Sequence, residues 1–269
     1  MELGVNVPNF GPGTDPGVLR DWARVIEGLG FDLLMVSDHL AVTPDVAERY
    51  PEPFFEPFTA LSWLAGQTSR VRLGTTVLVL PYRHPWAVAR MAANLQQLSG
   101  GRLVLGVGVG WARQEYAVLG VPFAARGRLT DECLRVLREE LPTGPARIPV
   151  WVGGSSPAAL RRTAEFGDAW HPLRLTMDAM CTVLAEHRPP GFAPRIALRL
   201  TDTPVTVADR PAGVGTLEQV LADLDQLRSL GAEAVVFDPY HGDPEETRRP
   251  QQAWQDLATV VAHHRRTRP

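Results

Sequence analysis

The first residues that could do chemistry follow a short apolar run. Leu33–Val36 leads directly into Ser37, Asp38 and His39. A buried strand ordinarily ends in a turn residue such as glycine, proline or asparagine. A hydroxyl, a carboxylate and an imidazole placed side by side can instead donate, accept and transfer protons near neutral pH. This ending predicts a functional site at the carboxyl end of the strand.

Histidines also follow other predicted strands. Four of the seven histidines have this position: His39, His84, His171 and His241. A single histidine of this kind is more often structural. In a closed barrel of parallel strands, however, the carboxyl ends of all the strands meet at one rim. We therefore expect the four to line one functional cleft.

A glycine-rich stretch, "GVGVGW", predicts where a flat ligand binds. Gly106, Gly108 and Gly110 alternate at the end of an apolar run, so backbone without side chains can approach a ring closely. The stretch lacks the second half of a dinucleotide fingerprint, and no helix begins at its third glycine. We interpret it as a ring site.

A second stretch, "VGGSSP", predicts a phosphate site. Gly153, Gly154, Ser155 and Ser156 precede Pro157, which is suited to the first turn of a helix. The free N–H groups and the positive end of the helix dipole would attract an anion. The alternative is plain helix capping by one of the two serines. A ring site and a phosphate site together indicate a flavin-like mononucleotide cofactor.

Several chemistries are excluded or disfavoured by composition and motifs. All 27 basic residues are arginine, so mechanisms that need a lysine amine are excluded, including Schiff-base chemistry and the P-loop. The first strand reads "GVNVPNFG" without an H-x-H pair, and H-E-x-x-H is absent, so we expect no metal. The G-x-S-x-G motif, in which a serine acts as the nucleophile of a hydrolase, is also absent.

Charge and hydropathy restrict the partners. The net charge is −3, which favours neither nucleic acid nor an anionic membrane. No apolar stretch approaches the ~18 residues of a membrane span, and no leader pattern begins the chain. We therefore expect a cytoplasmic protein that acts on a small molecule.

The elements that must position these residues repeat a helix–glycine–strand step. Leu19–Leu29 is followed by Gly30 and a strand, and Leu217–Leu227 by Gly231 and another strand. The predicted strands are Leu3–Val7, Leu33–Val36, Val71–Leu78, Leu103–Val109, Pro149–Val152, Ala169–His171, Ile196–Leu200 and Ala234–Phe237. Eight such units predict a TIM (β/α)8 barrel forming a single domain over residues 1–269. A doubly wound open sheet is the alternative.

The most irregular segment, Ala41–Pro57, follows the second predicted strand. It contains four prolines and three aromatic residues. Its position predicts a lid or rim at the carboxyl face of the barrel. The alternative is a loop that packs only its own aromatic side chains.

The chain resembles the bacterial luciferase-like superfamily, and within it the group that uses the deazaflavin coenzyme F420. The resemblance rests on three collinear segments: "LGFDLLMVSDHL", "RVRLGTTVLVLPYRHPWAVARMAANLQQLSGGRLVLGVGVGW" and "IPVWVGGSSPAALRRTAEFGDAWHP". It implies a TIM barrel, usually a homodimer, with the cofactor at the carboxyl ends of the strands.

The resemblance also implies roles for individual residues. A non-proline cis peptide behind the cofactor ring would fall at Thr76–Val77. Asp38 and His39 would lie beside the reacting edge of the ring, with His39 as the catalytic residue that supplies a proton or polarises a carbonyl. The remaining implied cofactor contacts are Gly108, Gly110 and Trp111 at the ring, and Gly153, Gly154, Ser155 and Ser156 at the phosphate.

The sequence departs from the family pattern in two places. Trp111 stands where the sugar-specific dehydrogenases of the family carry a glutamate, and we expect the nearby Glu115 to face the following helix. Only "LPTGPARIP" separates Glu140 from the fifth strand, a shortened connection where relatives usually insert a hairpin. These departures leave the substrate open.

Three hypotheses for function follow. The first is a coenzyme F420-dependent oxidoreductase that transfers hydride to or from a small organic substrate. The second is an FMN-dependent luciferase-like monooxygenase on the same barrel. The third is a non-catalytic paralogue that binds the cofactor without turnover.

Overall fold

Strands and helices alternate along the chain in the computed structural model, which describes residues 1–266. The last three positions of the predicted domain, 267–269, lie outside the described residues. The strands are Glu2–Asn6 (β1), Leu33–Val36 (β2), Arg72–Val79 (β3), Leu103–Gly108 (β4), Val150–Gly153 (β5), Ala169–His171 (β6), Arg195–Ala197 (β7), Arg199–Leu200 (β8), Val214–Gly215 (β9) and Ala234–Asp238 (β10).

The helices pack around these strands. They are Pro16–Leu29 (α1), Pro44–Ala47 (α2), Pro57–Ala65 (α3), Pro85–Leu98 (α4), Arg113–Val118 (α5), Arg126–Glu140 (α6), Pro157–Phe166 (α7), Met177–His187 (α8), Leu217–Ser229 (α9) and Pro250–Arg266 (α10). Proline begins most of them, where its missing N–H costs no helical hydrogen bond. α1 shows both of its ends clearly: the Asp15 side chain caps its first turn and Gly30 takes a left-handed conformation after its last.

The large sheet is parallel and closes into a barrel. Its strand order is β6-β5-β4-β3-β2-β1-β10-β7. Isolated parallel bridges, Trp170 to Phe192 and Leu173 to Arg195, join the two end strands. The predicted TIM barrel is therefore confirmed, and the open doubly wound alternative is wrong.

The barrel strands are buried on both faces, as their continuous apolar runs predicted. In β2, Leu33 and Met35 point into the barrel and pack with Trp151 and Val236. Leu34 and Val36 point outward and pack in the larger core beneath the helices. Side chains alternate across a strand, so four consecutive apolar residues serve two separate cores.

The seventh predicted strand differs most from the structure. Ile196–Leu200 divides into β7, which belongs to the barrel, and β8, which pairs with β9 outside it. Leu198 lies between the two strands and donates its N–H to Asp238. The whole stretch is rich in apolar residues, so its composition does not reveal that the chain leaves the barrel.

Two further features concern the chain as a whole. Residues 141–149 connect α6 to β5, and their shortness relative to the family that the chain resembles stays a prediction. Across residues 1–266, no helix has the length and apolar character that crossing a bilayer demands.

Candidate functional site

A cavity of about 250 Å³ lies at the carboxyl ends of the barrel strands. This is the face at which TIM-barrel enzymes place their active sites. The cavity is lined by Ser37, Asp38, His39, Tyr50, Thr76, Val77, Val79, Gly108, Val109, Gly110, Trp111, Gly153, Gly154, His171, Leu173 and Arg195. Nine of the eleven residues predicted to form the site are among them, and Ser155 and Ser156 are not.

His39 and Glu115 form a buried pair at one side of the cavity. His39 Nδ1 lies 2.6 Å from Glu115 Oε2, and the Tyr82 hydroxyl donates to the same oxygen at 2.9 Å. The backbone N–H groups of Leu40 and Ala41 donate to Oε1 at 2.6 and 3.0 Å. Burial opposes the ionisation of Glu115, but the hydrogen bonds and charge of His39 and the backbone donors lower its pKa below the ordinary value.

The expectation that Glu115 faces the following helix is wrong. Glu115 belongs to the short helix α5, and its side chain has no exposed surface. A buried carboxylate is stable only where donors replace the water it has lost. The loop after β2 and Tyr82 provide four such donors, which is why the side chain turns toward His39.

Asp38 is held by protein groups rather than left open to a ligand. Arg83 donates to its two carboxylate oxygens at 2.7 and 2.8 Å, and the Val79 N–H donates at 2.8 Å. Arg83 also donates to Glu56 at 2.8 Å. The Asp38 side chain lies in the cavity wall, where it fixes the ends of β2 and β3 relative to each other.

His171 lies at the opposite side of the cavity with both ring nitrogens engaged. Nδ1 contacts the carbonyl oxygen of Ala193, which can only accept, so Nδ1 carries the hydrogen. Nε2 therefore accepts from the Thr76 hydroxyl at 2.8 Å. Burial and, to a smaller degree, the nearby charge of Arg195 lower the pKa of His171 to about 4, although the hydrogen bond to the Ala193 carbonyl acts in the opposite direction.

Arg195 is a buried cation beneath the same side of the cavity. It donates to the Thr76 carbonyl at 2.5 Å and to Asp238 Oδ2 through Nε at 3.0 Å and Nη2 at 2.7 Å. Arg174 also pairs with Asp238. Burial alone would raise the pKa of Asp238, but the charges of the two arginines hold it below its ordinary value.

Val77 forms part of the cavity wall next to the glycine positions. A cis peptide joins Thr76 to Val77, at the position that the resemblance implies. A Cβ on Gly108 would come within 2.6 Å of Val77 Cγ2, and a Cβ on Gly153 within 2.9 Å of Val77 Cγ1. The two glycines thus make room for Val77 as well as leaving bare backbone in the wall.

In the predicted phosphate loop, the two glycines line the cavity and one serine caps a helix. Gly153 and Gly154 line the cavity, and Gly154 has a positive φ of 100°. Ser156 caps α7 by accepting from the Ala159 N–H at 3.2 Å, and Pro157 is the first residue of that helix. The capping interpretation therefore holds for Ser156, and anion binding by Ser155 and Ser156 stays a prediction.

The irregular segment Ala41–Pro57 packs its own aromatic residues and also covers the site. The Tyr50 ring stacks on His39 at 5.5 Å, and the Phe54 ring meets it edge-on at 5.4 Å. Trp111 approaches the same imidazole at 5.7 Å and is 49% exposed. Three aromatic rings therefore surround His39, and both proposed descriptions of the segment apply.

Only two of the four histidines expected in one cleft come together there. His39 and His171 line the cavity, whereas His84 occupies the N-cap position of α4. His241 lines a separate cavity of about 350 Å³ beside the first turns of α10. A strand end specifies the rim but not the direction of the side chain, so the expectation of a four-histidine cleft is wrong.

Two buried charged groups of the site, Glu115 and Arg195, were not predicted from the sequence. A signal existed for Arg195, which stands within the apolar run "GFAPRIALRL", but Glu115 stands in the polar stretch "WARQEY" and had none. A charged residue inside a buried run is almost always paired, so its presence indicates a partner elsewhere.

The residues of the cavity fit a flat conjugated ring. Gly108, Gly153 and Gly154 leave backbone without side chains along one wall, and Val77 adds an apolar surface. Polar groups are confined to the two sides, at His39 and at His171 with Arg195. Such a combination of apolar faces and a few polar groups suits a planar heterocycle.

Comparisons with known proteins identify the family and the fold. An uncharacterised protein of Mycobacterium tuberculosis is 33% identical over 182 residues, which cover 55% of this chain and 62% of that protein. The chain thus spans less than two thirds of that relative. An F420-dependent glucose-6-phosphate dehydrogenase of Kineococcus radiotolerans is 40% identical over 109 residues, covering 40% of this chain and 31% of the dehydrogenase.

A solved structure, the monooxygenase RslO1 of Streptomyces bottropensis, superposes with a TM-score of 0.76. The comparison covers 98% of this chain and all of RslO1 at 20% identity, which shows a shared fold. The family model described as luciferase-like monooxygenase matches residues 1–189. The chain therefore belongs to the luciferase-like monooxygenase family.

Proposed function

We propose that the protein is a coenzyme F420-dependent oxidoreductase that transfers hydride between the deazaflavin and a small organic substrate. The observation that carries this proposal is the His39 imidazole, which is held at Nδ1 by Glu115 and lines a glycine-walled cavity. A relative that shares 40% identity over part of the chain is named as F420-dependent, which supports the choice of cofactor.

The cofactor would be held by groups already described. Val77, Gly108 and Gly153 would contact the ring, and the backbone of Gly154 with the first turn of α7 would receive the phosphate. When bound, the deazaflavin supplies a carbon that gives or accepts a hydride. His39 would exchange the accompanying proton with the substrate.

The substrate need not match that of the F420-dependent relative. The resemblance places a glutamate of the sugar-specific dehydrogenases at the position of Trp111. Here that position is an exposed indole beside His39, which offers an apolar contact in place of a charge. We therefore propose a substrate other than a sugar phosphate. The homodimer that the resemblance implies stays a prediction, which light scattering of the purified protein would check.

Titration of the purified protein with F420 and, separately, with FMN tests the cofactor. Fluorescence quenching should show saturable binding of F420 at micromolar concentration. Micromolar binding of FMN without a response to F420 would instead support the monooxygenase hypothesis. Binding of neither would contradict the proposal and favour the non-catalytic paralogue.

A matched pair of glycine variants locates the binding. In Gly153→Ala the new methyl group pushes Val77 toward the cavity, and we expect F420 affinity to fall about tenfold or more. Gly28→Ala adds a methyl group on α1 where no atom lies within 4 Å, and it should bind F420 like the wild type. Equal affinities in the two variants, with unchanged melting temperatures, would place the cofactor elsewhere.

A further inference from the structure

The Glu115 carboxylate next to the cavity has hydrogen-bond donors at both of its oxygens. Its two oxygens receive four hydrogen bonds, two at Oε1 from backbone N–H groups and two at Oε2 from Tyr82 and His39. The side chain is fully buried. A carboxylate in this position has no donor role while it is ionised, because it carries no hydrogen.

This arrangement determines which ring nitrogen of His39 carries a hydrogen. Nδ1 lies 2.6 Å from an ionised acceptor and must therefore be the donor. Within residues 1–266, His39 Nε2 has no hydrogen-bond partner. The atom also retains some exposed surface. Nε2 is thus the nitrogen that remains accessible at the cavity, with its lone pair or its proton available.

The groups that surround His39 come from the chain after β2, the turn after β3 and the helix α5. Asp38 is its neighbour in the chain, and the Asp38 charge is matched by Arg83. Tyr50 of the segment after β2 stacks on the ring, while Tyr82 reaches it only through Glu115. Glu115 is therefore the one ionised group in direct hydrogen-bond contact with the imidazole among the described residues.

We propose that Glu115 is a positioning residue that holds His39 as the Nδ1–H tautomer and so directs Nε2 to the substrate. This inference rests on the proposed function, in which His39 exchanges a proton. When a substrate carbonyl carbon accepts a hydride from reduced F420, its oxygen needs one proton. The imidazolium gives that proton from Nε2, becomes neutral with Nδ1–H retained, and regains a proton from water.

Nitrogen-15 NMR of the histidine side chains tests the tautomer on the protein without any cofactor. The His39 signals are assigned by their loss in His39→Asn. In the wild type, the neutral form of the His39 ring should show Nδ1 as the protonated nitrogen and Nε2 as the unprotonated one. A wild-type spectrum with Nε2 protonated and Nδ1 bare would overturn the proposal without the need for any variant.

The variant Glu115→Gln should reverse the tautomer. The N–H groups of Leu40 and Ala41 both donate to Oε1, so the Gln carbonyl oxygen must stay there and the amide NH₂ must face His39 Nδ1. Nδ1 then accepts, and Nε2 takes the hydrogen. Tyr82→Phe removes a different hydrogen bond of Glu115 and should retain the wild-type tautomer.

The outcomes separate this inference from the proposed function. A purely structural role for Glu115 would lower the melting temperature of Glu115→Gln but leave the Nδ1–H tautomer in place, which would contradict the inference. Failure of F420 to bind the wild type would contradict the proposed function instead, because the tautomer is measured on the cofactor-free protein. Reversal in Glu115→Gln with retention in Tyr82→Phe supports the positioning role.

Discussion

Two histidines face the same cavity from opposite sides, and their surroundings differ. His39 and His171 are both buried, at 7% and 2% exposure. His39 has a carboxylate at one nitrogen and no protein partner at the other among residues 1–266. His171 has a carbonyl at one nitrogen and a hydroxyl at the other. Burial alone therefore does not distinguish a reactive imidazole from a structural one.

The difference indicates that two properties separate a reactive histidine from a structural one. These are the number of its ring nitrogens that bind protein groups and the charge of those groups. Glu115 occupies only Nδ1 of His39, so Nε2 is open for proton exchange with a substrate. At His171, burial and the charge of Arg195 outweigh the hydrogen bond to the Ala193 carbonyl, and the pKa falls to about 4. In the proposed function, one side of the cavity transfers protons, while the other maintains its shape.

The largest expected effect comes from replacing each histidine in turn by asparagine. His39→Asn should retain F420 binding but lose turnover by about 10²- to 10⁴-fold, the usual contribution of an acid–base group. His171→Asn should lose far less turnover per folded molecule, since His171 has no free nitrogen. Oxidation of reduced F420 with a panel of ketones measures both. Equal losses would remove the distinction between the two sides.

A smaller effect is expected from Arg195→Met, which tests the structural side directly. The substitution leaves the buried Asp238 carboxylate with Arg174 as its remaining cation and should lower the free energy of unfolding by about 3 kcal/mol. Arg128→Met breaks an exposed ion pair with Glu132 and should cost about 0.5 kcal/mol or less. Urea denaturation measures both, and similar costs would argue against a structural network under the cavity.

The smallest effect concerns the pH dependence of stability. Because the pKa of His171 is about 4 in the folded protein and about 6.5 when unfolded, the unfolded chain binds a proton that the folded chain does not. This contribution to stability is complete above about pH 6.5 and declines as the pH falls toward about 4. Between about pH 7 and about pH 5, the wild type should lose about 2 kcal/mol more than His171→Asn. If the free energy of unfolding of the wild type and of His171→Asn fell equally between these two pH values, the prediction would be wrong.

The fold was accessible from the sequence because its signals are local and repeated. Each helix–glycine–strand step, such as the one at Gly30, recurs around the barrel, and the strand ends were placed to within a residue or so for most strands. The division between β7 and β8 was not accessible. It depends on whether Arg199 pairs with the barrel or with Val214, which is a long-range choice that composition does not record.

The sequence indicated which residues form the site, but not which side chains pair with one another there. Resemblance identified Asp38 and His39 and placed the cis peptide at Thr76–Val77, because those features lie in contiguous motifs. It did not reveal that Arg83 forms an ion pair with Asp38 or that Glu115 accepts a hydrogen bond from His39. Both depend on pairs of side chains from different elements, and a single sequence carries no direct record of such pairs.

The Arg83 guanidinium has a consequence beyond its two ion pairs. By bridging Asp38 and Glu56, it joins the two ends of residues 39–55, which include most of the Ala41–Pro57 segment that covers the site. Tying the ends of a chain of this length together removes about 2.5 kcal/mol of loop entropy from any state in which the bridge survives. The segment is therefore closed as a ring without a covalent bond. The Arg83 guanidinium closes this loop of chain, which carries Tyr50 and Phe54 against His39.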